Sequence, residues 1–144
     1  MTANILVVDD ANTVRLYHRK VLNDAGWQVD EAVNGVEALE KAINRPLTDG
    51  FDLYIVDVNM PKMDGFSFVR ELRRQSQLRQ APVLMVSTEA QAQDAAAALQ
   101  AGANGYLVKP PRPAELMLAA ALMLGDLAVV RKAAALEAAR GVRA

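Results

Sequence analysis

The chain has no cysteine, one histidine (His18), one tryptophan, few aromatic residues, and no long run of a single charge or of apolar residues. Each scarcity closes a route. Without cysteine there is no disulfide framework, thiolate nucleophile or cysteine-based zinc site. One histidine cannot build a multi-histidine metal centre. With 16 basic residues against 17 acidic ones, the broad basic surface of a nucleic-acid binder is missing, and DNA binding is not expected. No apolar stretch is long enough to span a bilayer, and Met1 leads almost directly into the apolar run Ile5–Val8 with no signal-peptide pattern. A cytoplasmic protein without a membrane role is the expectation. The 144 residues, 52% hydrophobic and 23% charged, suit one globular domain with a proper core.

Short apolar runs alternate with helical patterns. Ile5–Val8, Leu53–Val56, Val83–Val86 and Tyr106–Val108 read as strands, the first apolar throughout, as in a strand covered on both faces. Trp27, Val29 and Glu31 alternate with polar residues, which predicts an edge strand. Between them lie a helix from Asn12 to Ala25 stopped by Gly26, and a second opened by the capping signal Asn34-Gly35-Val36-Glu37 with Val36, Leu39 and Ile43 on its inner face. Pro46 to Gly50 is a turn-rich loop. A third helix is capped by Asp64, with Phe66, Val69 and Leu72 inside. An alanine-rich helix runs from Glu89 to Ala101, and a last one, Ala114 to about Leu124, has Pro113 in its first turn. Five βα units predict an α/β fold, a parallel sheet with helices on both faces. If the order is the flavodoxin-like 2-1-3-4-5, which is assumed from known folds, ligands bind at the carboxyl ends of the strands, between the first and third.

That placement gives meaning to three acids. Asp9 and Asp10 follow the first strand and Asp57 ends the third. Converging carboxylates repel one another unless a cation intervenes, and Mg²⁺ prefers oxygen ligands. Asp57 is then free to act as a nucleophile toward phosphorus, giving an aspartyl phosphate. Ser87 and Thr88 offer hydroxyls at the end of the fourth strand, and Lys109 a cation at the end of the fifth, before Pro110-Pro111. A lone Asp pair after a strand is ordinarily a solvated turn, and a lone strand-end lysine ordinarily a surface residue. Their joint placement at several strand ends weakens that plainer account.

The segments V-V-D-D-A-N, D-V-N-M-P-K-M-D-G, P-V-L-M-V-S-T-E-A and G-A-N-G-Y-L-V-K-P together resemble the signature segments of response-regulator receiver domains of the CheY-like, chemotaxis type, over about Asn4 to Leu124. The resemblance implies that Asp57 accepts phosphate from a sensor histidine kinase or a phosphotransfer protein. It implies that Asp10 and Asp57 ligate Mg²⁺ directly, Asp9 through water, and the Asn59 backbone carbonyl as well. It makes Ser87 the hydroxyl switch, Lys109 the phosphoryl-sensing lysine, and Tyr106 the aromatic that follows Ser87. Phosphorylation then switches a partner surface around the fourth helix, fifth strand and fifth helix, and the protein is no enzyme beyond its own phosphotransfer and autodephosphorylation.

Ser87 stands where threonine is commoner, and Thr88 where a small residue is usual, which narrows the entrance flanked by Asn59 and Glu89. Pro111 stands where chemotaxis regulators often carry an aromatic of the motor-binding face, so a phosphorelay intermediate or phosphate sink competes with a motor regulator. Two other classes compete. A small Mg²⁺-dependent phosphatase with an aspartate nucleophile wants a second Asp where Asn59 stands, and a flavin carrier wants a Ser/Thr/Gly-rich phosphate loop where Asp9 and Asp10 stand. Arg15, Arg19 and Lys20 on the first helix read as a solvated face or a kinase contact. The last helix is apolar all round, which requires cover. Residues 1–124 form the receiver; 125–144 are expected to be a helical extension with no effector domain, with Leu127, Val130 and Ala134 at helical spacing. That extension covers its own last helix or a neighbour's. The alternative cover is a homodimer through the fourth and fifth helices and fifth strand.

Overall fold

Buried β-branched and leucine residues place five short strands at the centre of the computed structural model, which describes residues 2–143, with side chains for 2–140. The strands are β1 (Asn4–Val8), β2 (Gln28–Ala32), β3 (Leu53–Asp57), β4 (Val83–Ser87) and β5 (Gly105–Val108). All pair in parallel, in the order β2-β1-β3-β4-β5. The helices are α1 (Asn12–Asp24), α2 (Gly35–Ile43), α3 (Gly65–Arg74), α4 (Ala92–Ala101), α5 (Pro113–Leu124) and α6 (Leu127–Arg143). The fold is the CheY-like, flavodoxin-like α/β arrangement expected, with β2 as an edge strand.

Because side chains alternate across a strand, each strand feeds two cores. Leu6, Val8, Tyr54, Val56, Val83 and Met85 pack with α2, α3 and α4. Ile5, Val7, Leu53, Ile55, Leu84 and Val86 pack with α1 and α5, and with Val129 and Ala133 of α6. The predicted caps hold: Asn34 Oδ1 accepts the Glu37 N–H at 2.9 Å and Asp64 Oδ1 accepts the Ser67 N–H at 2.8 Å. Gly65 is required by close approach, since a Cβ there would lie 2.2 Å from the Asp57 carbonyl oxygen. That contact seats the start of α3 against the tip of β3.

Several local expectations need correction. The fourth helix begins at Ala92, not Glu89, because Gln91 and Asp94 form a reciprocal cap that leaves Thr88–Ala90 as a loop. The inner face of α2 is Ala38 and Ala42 with the half-buried Leu39 beside them, as expected for Leu39, while Val36 and Ile43 are exposed. Small residues win there because a neighbour lies close, with Met63 filling the space beside Gly35. In α3, Phe68 joins Val69 and Leu72 inside, and Phe66 is only half-buried. The Pro46–Gly50 loop contains a single 3₁₀ turn, Leu47–Asp49.

The C-terminal segment is helical and lies on this chain's own α5. Among its described side chains, Val129 and Ala133 are buried, Val130 is half-buried, and Leu127 and Ala134 are exposed. Trp27 Nε1 donates to Asp126 Oδ2 at 3.0 Å at one end, and Arg112 Nη2 donates to Glu137 Oε2 at 2.9 Å at the other. Among the described residues, no helix is long and apolar enough to cross a membrane.

Candidate functional site

The register of the sheet assembles the site. Val8 lies opposite Val56, so Asp9, the next residue, comes beside Asp57 at the strand tips. Asp57 pairs with Val86 and Ser87 with Val108, which brings Ser87 and Lys109 to the same edge. One carboxylate oxygen from each of Asp9, Asp10 and Asp57 lies within 4.8 Å of the others. The Lys109 ammonium donates to Asp9 Oδ2 at 2.6 Å and to Asp57 Oδ1 at 3.0 Å. The Lys109–Pro110 bond is cis.

The three acids differ in how they are held. Asp9 is buried: Oδ1 accepts the Ala11 N–H at 2.9 Å, and its own N–H donates to the Ala32 carbonyl at 3.1 Å. Asp10 is exposed. Asp57 is buried, and burial first, then the charge of Asp9, push its pKa up against the opposing hydrogen bond and charge of Lys109. Burial alone would lower the Lys109 pKa, but its hydrogen bonds to Asp9 and Asp57 outweigh that and raise it. A single ammonium leaves three carboxylates undercompensated, and the donors on offer are hard oxygens. The residues therefore fit a divalent cation of the Mg²⁺ type.

Around this centre, Ser87 is fully buried, its Oγ accepting the Glu89 N–H at 3.2 Å and its carbonyl the Lys109 N–H at 2.8 Å. Tyr106 is half-buried, and its hydroxyl donates to the Glu89 carbonyl at 2.7 Å. One short loop thus touches both Ser87 and Tyr106. Asn59, Thr88 and Glu89 are exposed. Thr88 lines a cleft of about 330 Å³ with Thr13, Val14, Tyr17, His18, Lys109, Pro110 and Pro111. Pro111 is buried, and its carbonyl accepts the Tyr17 hydroxyl at 2.6 Å.

Two residues near the acids are not legible from sequence: His18 has no assigned role there, and Arg15 reads as part of a solvated face. His18 is 2% exposed, and its Nδ1 is buried without a hydrogen-bond partner. Burial lowers its pKa to about 4, with Asp9 raising it and Lys109 lowering it further, so the ring is neutral at physiological pH. Arg15 does not lie on a solvated face: its side chain is 12% exposed and binds Glu31 and the Asp9 carbonyl. Arg19 also reaches Glu31, whereas Lys20 pairs at the surface with Asp24. The residue spacing carries no signal for Arg15, because one of its partners is a backbone carbonyl.

Comparison with known proteins agrees with this fold. The response regulator receiver domain family matches residues 5–121. The chemotaxis protein CheY1 of Helicobacter pylori is 38% identical over 122 residues, covering 84% of this chain and 96% of that protein. Among solved structures, chemotaxis response regulator CheY4 of Vibrio cholerae superposes with a TM-score of 0.78 at 40% identity, over 86% of this chain and all of that one. The receiver domain of a Pseudomonas aeruginosa sensor histidine kinase, described with a magnesium ion coordinated in its active-site cleft, has a TM-score of 0.77 at 30% identity, covering 87% of this chain and 99% of that chain.

Proposed function

The chain belongs to the response regulator receiver family, and on that premise we propose that it is a phosphorylated switch of two-component signalling, with residues 1–124 as the receiver and 125–144 as a helical extension. The observation that carries the reading is the convergence of the Asp9, Asp10 and Asp57 carboxylates at the strand tips, with Lys109 bound to Asp9 and Asp57. An Asp57 carboxylate oxygen attacks the phosphorus of a phosphohistidine on a sensor kinase or phosphotransfer protein. The P–O bond forms as the P–N bond breaks, and the imidazole leaves with a proton. In the reverse direction of the signal, water attacks the phosphorus, inorganic phosphate departs, and the carboxylate returns. Asp10, Asp57 and the Asn59 carbonyl, with Asp9 beside them, would hold a Mg²⁺ ion, which would supply charge neutralisation for the phosphoryl group.

Lys109 and the Ser87 hydroxyl gain a phosphoryl partner in one state that they lack in the other, which is the differential contact a switch requires. Ser87 Oγ would leave the Glu89 N–H, and the same loop holds the Tyr106 hydroxyl. The response would reach α4, β5 and α5, where Leu99, Val108 and Leu122 stand exposed for a partner or a second copy. Pro111, buried and tied to Tyr17, offers no aromatic for a motor-type contact, which favours a relay or phosphate-sink role over a motor regulator. The cell compartment we infer is the cytoplasm, where such kinases present their phosphohistidine.

Incubation with acetyl phosphate and Mg²⁺ should add one phosphoryl group by intact mass, and Asp57→Asn should add none. A pull-down with beryllofluoride and Mg²⁺ beside the same variant would reveal the state-dependent partner. Equal phosphorylation of Asp57→Asn would refute the assignment. The same time course on Thr88→Ala addresses the narrowed entrance formed with Asn59 and Glu89: loading or hydrolysis should quicken, and two unchanged rates would remove that role.

A further inference from the structure

One mostly buried ion pair beside the acids has no part in the mechanism above. Arg15 of α1 donates from Nη1 to the Asp9 carbonyl at 2.7 Å, from Nε to Glu31 Oε1 at 3.0 Å, and from Nη2 to Asn12 Oδ1 at 3.2 Å. Each of its three nitrogens therefore has a separate acceptor, and a planar guanidinium bound in this way has one orientation. Glu31 is fixed in turn, its second oxygen accepting from Arg19 Nη1 at 2.5 Å. Glu31 sits one residue before Ala32, whose carbonyl accepts the Asp9 N–H at 3.1 Å. The end of β2 thus holds Asp9 twice: directly at its N–H, and through Arg15 at its carbonyl.

That carbonyl belongs to the peptide joining Asp9 to Asp10. Among the described residues, the Asp10 carboxylate accepts no side-chain or backbone hydrogen bond, so its direction depends on the peptide that carries it. We propose that Arg15 and Glu31 are positioning residues: they lock the Asp9–Asp10 peptide so that the Asp10 carboxylate faces Asp57 across the cation site. The inference rests on the reading of the acids as a Mg²⁺ site. Partners that orient metal ligands typically change metal affinity about 10–100-fold when removed.

The sign of the effect separates positioning from simple electrostatics. Removing a cation near a dication site should tighten Mg²⁺ binding by Coulomb's law, whereas losing the lock should weaken it. Removing Arg15 and Glu31 together leaves net charge unchanged, so electrostatics predicts no effect and positioning again predicts weakening. Mg²⁺ titration calorimetry on the unphosphorylated full chain would compare wild type, Arg15→Met and the double variant Arg15→Met/Glu31→Met. We expect both variants to bind about tenfold more weakly. Variants that bind as tightly as wild type, or more tightly, would overturn the inference while leaving the Mg²⁺ site standing. A wild type that binds no Mg²⁺ would overturn both. Should Arg15→Met fail to fold, Arg15→Lys keeps the charge and gives up the planar fork; weakened binding then supports positioning and unchanged binding overturns it.

Discussion

At the scale of single residues, His18 gives the fold a pH response of definite sign. Its ring is buried and its folded pKa is lowered to about 4 from an ordinary value of 6.5. The unfolded chain therefore binds a proton that the folded chain refuses between those two values. Stability is unaffected above the ordinary histidine pKa and falls as pH drops through it toward the folded one. Going from pH 7 to pH 5, this one group should cost about 2 kcal/mol. Urea midpoints of wild type and His18→Leu at the two pH values would test it, because the difference between the proteins cancels the other titrating groups. A gap that stays constant with pH would show that His18 does not titrate in this way. Asp57 works in the opposite direction: its raised pKa means that ionisation costs stability, a penalty absent in acid and present as pH rises through the folded value. The acids were legible in the sequence because strand ends mark where side chains converge. His18 and Arg15 were not, because the role of each comes from its burial in the fold, His18 with an unpartnered Nδ1 and Arg15 on a backbone carbonyl, and neither leaves a motif.

At the scale of elements, α5 and α6 form a unit that only partly follows from their composition. The uniformly apolar α5 predicted a cover, and α6 supplies one on the side of Val129 and Ala133, while Leu122 of α5 remains exposed. Helical spacing alone suggested Leu127, Val130 and Ala134 as the inner residues. Gly125, in the left-handed region at φ 71°, instead turns the chain so that α6 meets α5 on a neighbouring face. The phase of a helix is set by the turn that launches it, which residue spacing does not encode. The same limit shifted the inner face of α2 from Val36 and Ile43 to alanines. Deleting residues 127–144 removes Val129 and Ala133 themselves and uncovers the part of α5 they pack on. We expect a loss of roughly 2–4 kcal/mol, from side chains returned to water, together with increased binding of a hydrophobic dye or self-association in sizing experiments. A truncated protein that stays monomeric, binds no more dye and unfolds at the original urea concentration would show that α6 is not a structural cover.

At the scale of the whole molecule, the two cores cannot be separated, because β1, β3 and β4 bury alternate residues in each. Strand order was the part of this architecture that hydrophobic pattern could not supply: a run apolar on both faces says that it is central, not which strand lies beside it. The order matters because it sets β1 next to β3, and so Asp9 next to Asp57. It also predicts how the ends of the molecule communicate. Trp27, the only tryptophan, is buried just before β2, at the amino ends of the strands and so at the end of the sheet opposite the acids, and is hydrogen-bonded to Asp126 at the α5–α6 junction. If the shared strands make unfolding a single event, Trp27 fluorescence and far-UV circular dichroism must trace one urea transition. Mg²⁺ bound only by the folded state stabilises all of it, by about 2.7 kcal/mol at 100 times its dissociation constant. Both signals should therefore shift to higher urea together, although the fluorophore lies at the opposite end of the strands from the acids. A circular dichroism transition that moves with Mg²⁺ while the Trp27 transition stays in place would mean that the α5–α6 end unfolds independently of the site.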